Sequence, residues 1–137
     1  MKEAVLQQNI RLALGMRDDI FMFRINVGVF KPLHGDQRRA IRSAPDGTPD
    51  LLGVKAKTIP PILKSLLTEE LSASTMMKLC EWVGESIGQA FGIEVKTEKG
   101  KQRDCQISWQ RAWEKRGGIY ILARSLEDVY RGLDIEP

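Results

Sequence analysis

From Ser86 onward the chain changes period three times, and this alternation constrains the fold more than any other feature of the sequence. SIGQAFGIEVKT reads as a strand ending near Lys96. Asp104 to Arg116 follows the helical period, with Cys105, Trp109, Ala112 and Trp113 on one side, and Gly117-Gly118 terminates it. GIYILAR is a further strand, and Ser125 with Asp128 resembles a capping box for SLEDVYRGL. Segments that alternate in this way bury their apolar faces by layering helices on a sheet.

The preceding residues extend the pattern. KEAVLQQNIRLALG, residues 2–15, is a helix candidate with Leu6, Ile10, Ala13 and Leu14 on one face and Gly15 as its C-cap. IFMFRINVGVF, residues 20–30, is rich enough in aromatic and branched residues for a strand. Residues 31–47 read as a loop carrying Lys31, Arg38, Arg39 and Arg42, and GTPDLLGVKAK gives a turn and a short strand from Leu51 to Val54. Residues 58–86 have helical spacing broken by Pro60-Pro61 and Gly84, and read as one or two short helices. The order is helix, strand, loop, strand, insertion, strand, helix, strand, helix. It predicts an α/β domain with a central mixed β-sheet flanked by helices.

Composition narrows the chemistry. A chain of 137 residues is expected to form one domain over 1–137, large enough for a core without disulfides or metal. The balance of 21 basic and 18 acidic residues, net +3, permits a nucleic-acid partner without requiring one. Cys80 and Cys105 form no C-x-x-C pair, so a reduced, cytoplasmic setting is expected. No signal peptide opens the chain and no apolar run reaches membrane-spanning length, so no membrane partner is expected. The lone His34 cannot build a two-histidine zinc site, and no phosphate-binding G-x-x-x-x-G-K-[ST] loop points to a nucleotide cofactor. Carboxylates and lysines remain as reactive equipment.

Among these, Glu94-Val95-Lys96 stands out. Alternate strand residues share a face, so Glu94 and Lys96 point the same way. A solvated surface ion pair does the same, and most such triplets are no more than that. Glu3 lies three residues before Leu6 on the apolar stripe of the first helix. It either faces a cleft or is a frayed first-turn glutamate favoured by the helix dipole.

Taken in order, these pieces carry a resemblance. Thr48-Pro49-Asp50 at one strand start, followed by Glu94-Val95-Lys96 on a later strand, resembles the PD-(D/E)XK nuclease superfamily. GTPDLLGV, GIEVKTEKG, Gln106 with Trp109, and GGIYILARSLEDV are similar to its VRR-NUC family, the virus-type replication-repair nuclease domain. Glu3 and the FRINVG strand, with Arg24, Asn26 and Gly28, match that family's opening. The resemblance spans most of the chain except roughly residues 55–88.

The resemblance implies a restriction-endonuclease-like core and a Mg²⁺-dependent endodeoxyribonuclease, with Mn²⁺ able to substitute. Its catalytic residues would be Asp50, Glu94, Lys96, Glu3 and Gln106, and its metal ligands Asp50, Glu94 and the backbone carbonyl of Val95. The residues agree with this. Neighbouring strands lie roughly 4.7–4.9 Å apart, close enough for two carboxylates on one face to share a cation. All-oxygen ligation suits Mg²⁺ or Mn²⁺ rather than zinc. Lys96 would orient or help deprotonate the attacking water, without a covalent intermediate. Arg38, Arg39, Arg42, Lys99, Lys101 and Arg103 would bracket the phosphate backbone, although most such charge runs are solvated surface. The expected substrate is branched DNA, a Holliday (four-way) junction above all, cut by a homodimer. That dimer would use the apolar 58–86 segment, with its Leu66, Leu67 and Trp82, in a phage or bacterial host cytoplasm during DNA repair. The competing expectations are a nuclease for flaps or plain duplex, a non-catalytic DNA-binding module on the same fold, and an adaptor that binds other proteins.

Overall fold

Helix α1 (Glu3–Gly15) buries three of the four residues of the expected stripe, Leu6, Ile10 and Leu14 at most 3% exposed, and leaves Ala13 half-buried. The coordinates are a computed structural model, which describes residues 2–26, 29–30, 41–58, 74, 77 and 86–137. Gly15 is the last helical residue rather than the cap. Met16 takes that position in a right-handed conformation, so the chain leaves the helix without the left-handed turn that favours glycine.

The remaining described elements are β1 (Ile20–Arg24), β2 (Val29–Phe30), β3 (Ile41–Arg42), β4 (Leu51–Thr58), β5 (Ser86–Val95), α2 (Asp104–Glu114), β6 (Ile119–Ala123) and α3 (Leu126–Leu133). Four strands form one mixed sheet in the order β1-β4-β5-β6. β4 runs antiparallel to both β1 and β5, whereas β6 lies parallel to β5, with α2 in the connection between them. The protein is therefore α/β, with a mixed sheet flanked by helices.

One sheet face carries the core. Leu51, Phe91, Ile93, Val95, Ile121 and Ala123 meet Leu6, Ile10 and Leu14 of α1 and Val129 and Leu133 of α3. Burying each large apolar side chain contributes about 1.5–3 kcal/mol, so this layer is a main favourable contribution to folding. The other face receives α2. A Cβ on Gly92 would come 3.5 Å from the Trp109 ring, the Trp109 and Trp113 rings stack at 4.7 Å, and Trp113 Nε1 donates to the Ile119 carbonyl at 3.0 Å. Both tryptophans thus pack helix against sheet. Towards β1 the cover stops, and Phe21, Phe23 and Val54 are 72%, 49% and 41% exposed.

Several boundaries differ from the sequence reading. The strand expected over 20–30 stops at Arg24, and Val29–Phe30 pairs instead with β3, which lies inside the expected 31–47 loop. Extended-chain composition does not reveal the pairing partner. β4 begins at Leu51, opposite Arg24, and past that pair the Ile25 amide bond to the Asp50 carbonyl is the last one joining β1 to β4 among the described residues. β4 runs past Val54 to Thr58 because β5 pairs along its full length, from Leu51↔Ile93 to Thr58↔Ser86. Helix α2 ends at Glu114 rather than Arg116, as the Arg116, Gly117 and Gly118 amides turn back onto the Trp113 and Glu114 carbonyls. On that helix Ala112 is exposed and Gln106 is buried, so the inward side is Gln106, Trp109 and Trp113. The helices expected over 58–86, and the dimer contact assigned to them, lie outside the described residues apart from Ser74 and Met77, both helical and exposed. No helix among the described residues is long and apolar enough to cross a membrane.

Candidate active site

Asp50 is delivered by a pinned turn. The Thr48 hydroxyl donates to the Pro45 carbonyl at 2.7 Å, and Pro49 is fully buried against Gly92. Gly47 has φ +87°, and a Cβ there would sit 2.2 Å from the Cys105 carbonyl oxygen. Only glycine allows the turn to touch the start of α2 in this conformation. Asp50 then ties three strands together. Its carbonyl accepts from the Ile25 amide at 2.9 Å, and its Oδ2 accepts from the Val95 amide at 2.7 Å.

Stepping back one residue from the Leu51↔Ile93 pair sets Asp50 opposite Glu94. Glu94 is only 2% exposed, which removes the solvated-strand reading of the E-x-K triplet. Lys96 Nζ lies 2.6 Å from Glu94 Oε1, and the Gln106 amide donates to the same oxygen. Gln106 is fixed in turn, since its Oε1 accepts from the Arg103 amide at 2.9 Å. Burial pushes both carboxyls above their ordinary range. For Asp50 the Val95 amide and the Lys96 charge oppose that push, and Glu3 adds to it. For Glu94 the Lys96 bond opposes and the Asp50 charge adds. Each site therefore favours a proton or a cation.

Glu3, exposed at the start of α1, accepts from the Thr97 amide at 3.2 Å. It faces a cleft: Glu3, Ala4, Gln7, Arg24, Asp50 and Val95 line a concavity of about 200 Å³. Glu94, Lys96 and Gln106 are not in that lining. They form a group next to it, with Glu94 and Gln106 buried and Lys96 half-buried, joined through the bond from Val95 to Asp50. The expected residues thus gather in two adjoining groups at one end of the sheet. Among the described residues no three carboxylate, imidazole or thiolate side chains converge on a single point.

Of the expected phosphate contacts, Lys99, Lys101 and Arg103 are exposed in the segment joining β5 to α2. Arg42 falls on β3, and Arg38 and Arg39 lie outside the described residues. Sequence reasoning missed Gln7 and the Thr97 amide. Gln7 had a signal, because four residues after Glu3 it shares that residue's helix face. Which backbone amide a glutamate reaches depends on how α1 docks, and no local pattern carries that.

A hard divalent cation suits the donor set. Mg²⁺ takes one or two carboxylates, completing its shell with carbonyls, water and substrate phosphate. Asp50 and Glu94, with the Val95 carbonyl between their strands, offer that number. The contacts described fall on Oδ2 of Asp50 and Oε1 of Glu94 and do not draw in the second oxygen of either group. Comparisons with family models, curated proteins and solved structures found no match.

Proposed function

We propose that the chain is a metal-dependent endonuclease that hydrolyses DNA phosphodiester bonds, on a restriction-endonuclease-like PD-(D/E)XK core of the VRR-NUC kind. The observation that carries this reading is the burial of Glu94, which holds Lys96 at 2.6 Å on the strand beside Asp50. Sequestering the Glu94 carboxylate costs several kcal/mol, and surface charge has no such cost. Reactive sites are where such arrangements recur.

Asp50, Glu94 and the Val95 carbonyl would hold Mg²⁺ or Mn²⁺. Bound there, the cation supplies charge neutralisation and Lewis-acid polarisation of the phosphoryl group. Lys96, paired with Glu94, would orient attacking water and offset charge gathering on phosphate. Gln106 holds Glu94 in place, and Glu3 holds the Thr97 amide that follows Lys96. Lys99, Lys101 and Arg103 supply phosphate contacts along the approach. A four-way junction cut by a homodimer is the preferred substrate reading.

The test is cleavage of a labelled synthetic four-way junction beside matched flap, duplex and single-stranded DNA, with Mg²⁺, Mn²⁺ or EDTA. Wild type should cut only with metal, and Asp50→Ala should fold and bind DNA yet cut nothing. Normal cutting by Asp50→Ala with Mg²⁺ would overturn the site. Cutting of flaps or duplex in place of junctions keeps the site and changes the substrate. Binding without cutting in any metal favours a non-catalytic DNA-binding module.

A further inference from the structure

We propose that Arg24 grips a non-bridging oxygen of the scissile phosphate in the concavity beside Asp50, an inference that rests on the nuclease reading and deepens it. The lining shows the need. Glu3 and Asp50 bring carboxylates, Gln7 is neutral, and Arg24 is the one cation among the lining residues. Without metal, a phosphate entering between these two carboxylates is repelled unless a side-chain cation meets it there.

The backbone sets Arg24 beside Asp50, where that charge is required. It closes β1 opposite Leu51, the residue after Asp50, and the next amide, that of Ile25, donates to the Asp50 carbonyl. The guanidinium lies close enough for its charge to act on the Asp50 carboxylate. Among the described residues no ion pair engages it, and the residue is exposed. A planar guanidinium offers two parallel N–H donors to phosphate oxygens, which a lysine cannot reproduce. Lys96 is turned inward onto Glu94, so the two cations divide the work, one behind the carboxylates and one at the mouth.

The competing role is purely structural, with Arg24 neutralising Glu3 and Asp50 in the absence of substrate. Two readouts on the full chain separate them. The first is binding of a fluorescein-labelled four-way junction in EDTA across a range of KCl concentrations. The second is cleavage of the same junction with Mg²⁺, resolved into kcat and KM.

For Arg24→Ala the slope of log K against log salt should become shallower by about 0.9, the signature of one lost phosphate contact. Its kcat should fall about 10²–10³-fold, the cost of removing one donor to developing charge. Arg24→Lys should restore the salt slope and only part of kcat. Lys57→Ala, at the far end of β4, should change neither. An Arg24→Ala slope equal to wild type, or cleavage at the wild-type rate, overturns the proposal. If Arg24→Ala does not fold, Arg24→Gln keeps most of the stem and carries the same two measurements. If wild type cuts with neither Mg²⁺ nor Mn²⁺, the nuclease reading fails, and the salt slope still decides whether Arg24 holds phosphate.

Discussion

At the residue scale, Glu94 is a carboxylate held out of water by one ammonium and one amide, with Lys96 Nζ and the Gln106 side chain on the same oxygen. Removing one partner of a buried pair leaves an uncompensated charge and costs about 3–5 kcal/mol. Lys96→Met should therefore destabilise by about 3 kcal/mol, and Glu94→Gln with Lys96→Met should cost less than the two single changes added together. Urea unfolding of the four proteins measures that coupling, and strict additivity would refute it. A pH prediction follows from the same burial. Both carboxyls have raised folded pKa values, so between the ordinary carboxylate range and those raised values the folded state binds more protons than the unfolded state. Their contribution is full below that range and is lost as pH rises through the folded values. The metal-free protein should lose thermal stability over that rise, Asp50→Asn should flatten the loss, and Mg²⁺ should oppose it by replacing protons. An unchanged slope in Asp50→Asn would show that Asp50 is not the titrating group. The E-x-K spacing was legible in the sequence. The burial that gives it meaning was not, because it depends on Gln106 arriving from α2.

At the scale of elements, α3 shows local coding at its clearest. The Ser125 hydroxyl accepts from the Asp128 amide at 3.2 Å, and Asp128 Oδ2 accepts from the Arg124 and Ser125 amides at 2.9 and 3.0 Å. Ser125→Ala should cost about 1 kcal/mol, measurable by denaturant unfolding, and a change within error would remove the cap from the account. The Arg124 amide, more than any other contact, holds the Asp128 carboxyl below its usual range, so this contribution is present above the ordinary aspartate range and fades as pH falls through the folded value. Its trend opposes that of the Asp50 and Glu94 carboxyls, so a comparison of wild type with Asp50→Asn isolates their part. The S-x-x-D cap and the stripe of α1 were readable because their causes lie within four residues in the chain. The end of β1 was not, since it is set by where β4 begins, 27 residues later (Arg24 to Leu51). Gly47 lies between these cases: the GTPD turn was legible, and its contact with Cys105 was not. Gly47→Ala meets both a positive φ and a backbone clash, so it should destabilise the fold and disturb Asp50 together.

At the scale of the whole molecule, the sheet order β1-β4-β5-β6 brings Glu3, Arg24, Asp50, Glu94 and Lys96 to one end of the sheet, although they are spread over 94 positions of sequence (Glu3 to Lys96). The alternation of strands and helices predicted the α/β class, but it did not specify the strand order, which arises from which apolar faces pack. Among the described residues one chain offers one such set, whereas resolving a four-way junction requires two symmetric cuts. A closed two-fold dimer supplies two sites in matching orientation. On the proposed reading, sedimentation at micromolar concentration should give twice the 15.5 kDa chain mass. Mixing wild type with excess Asp50→Ala, after exchange of subunits, should then convert paired resolution into single nicks, because each mixed dimer keeps one working site. A monomer that still resolves junctions by paired cuts would refute the dimer, since one site would then have to serve both strands in turn. A dimer that gives only independent nicks at any mixing ratio would keep the assembly but assign it to a substrate without two-fold symmetry.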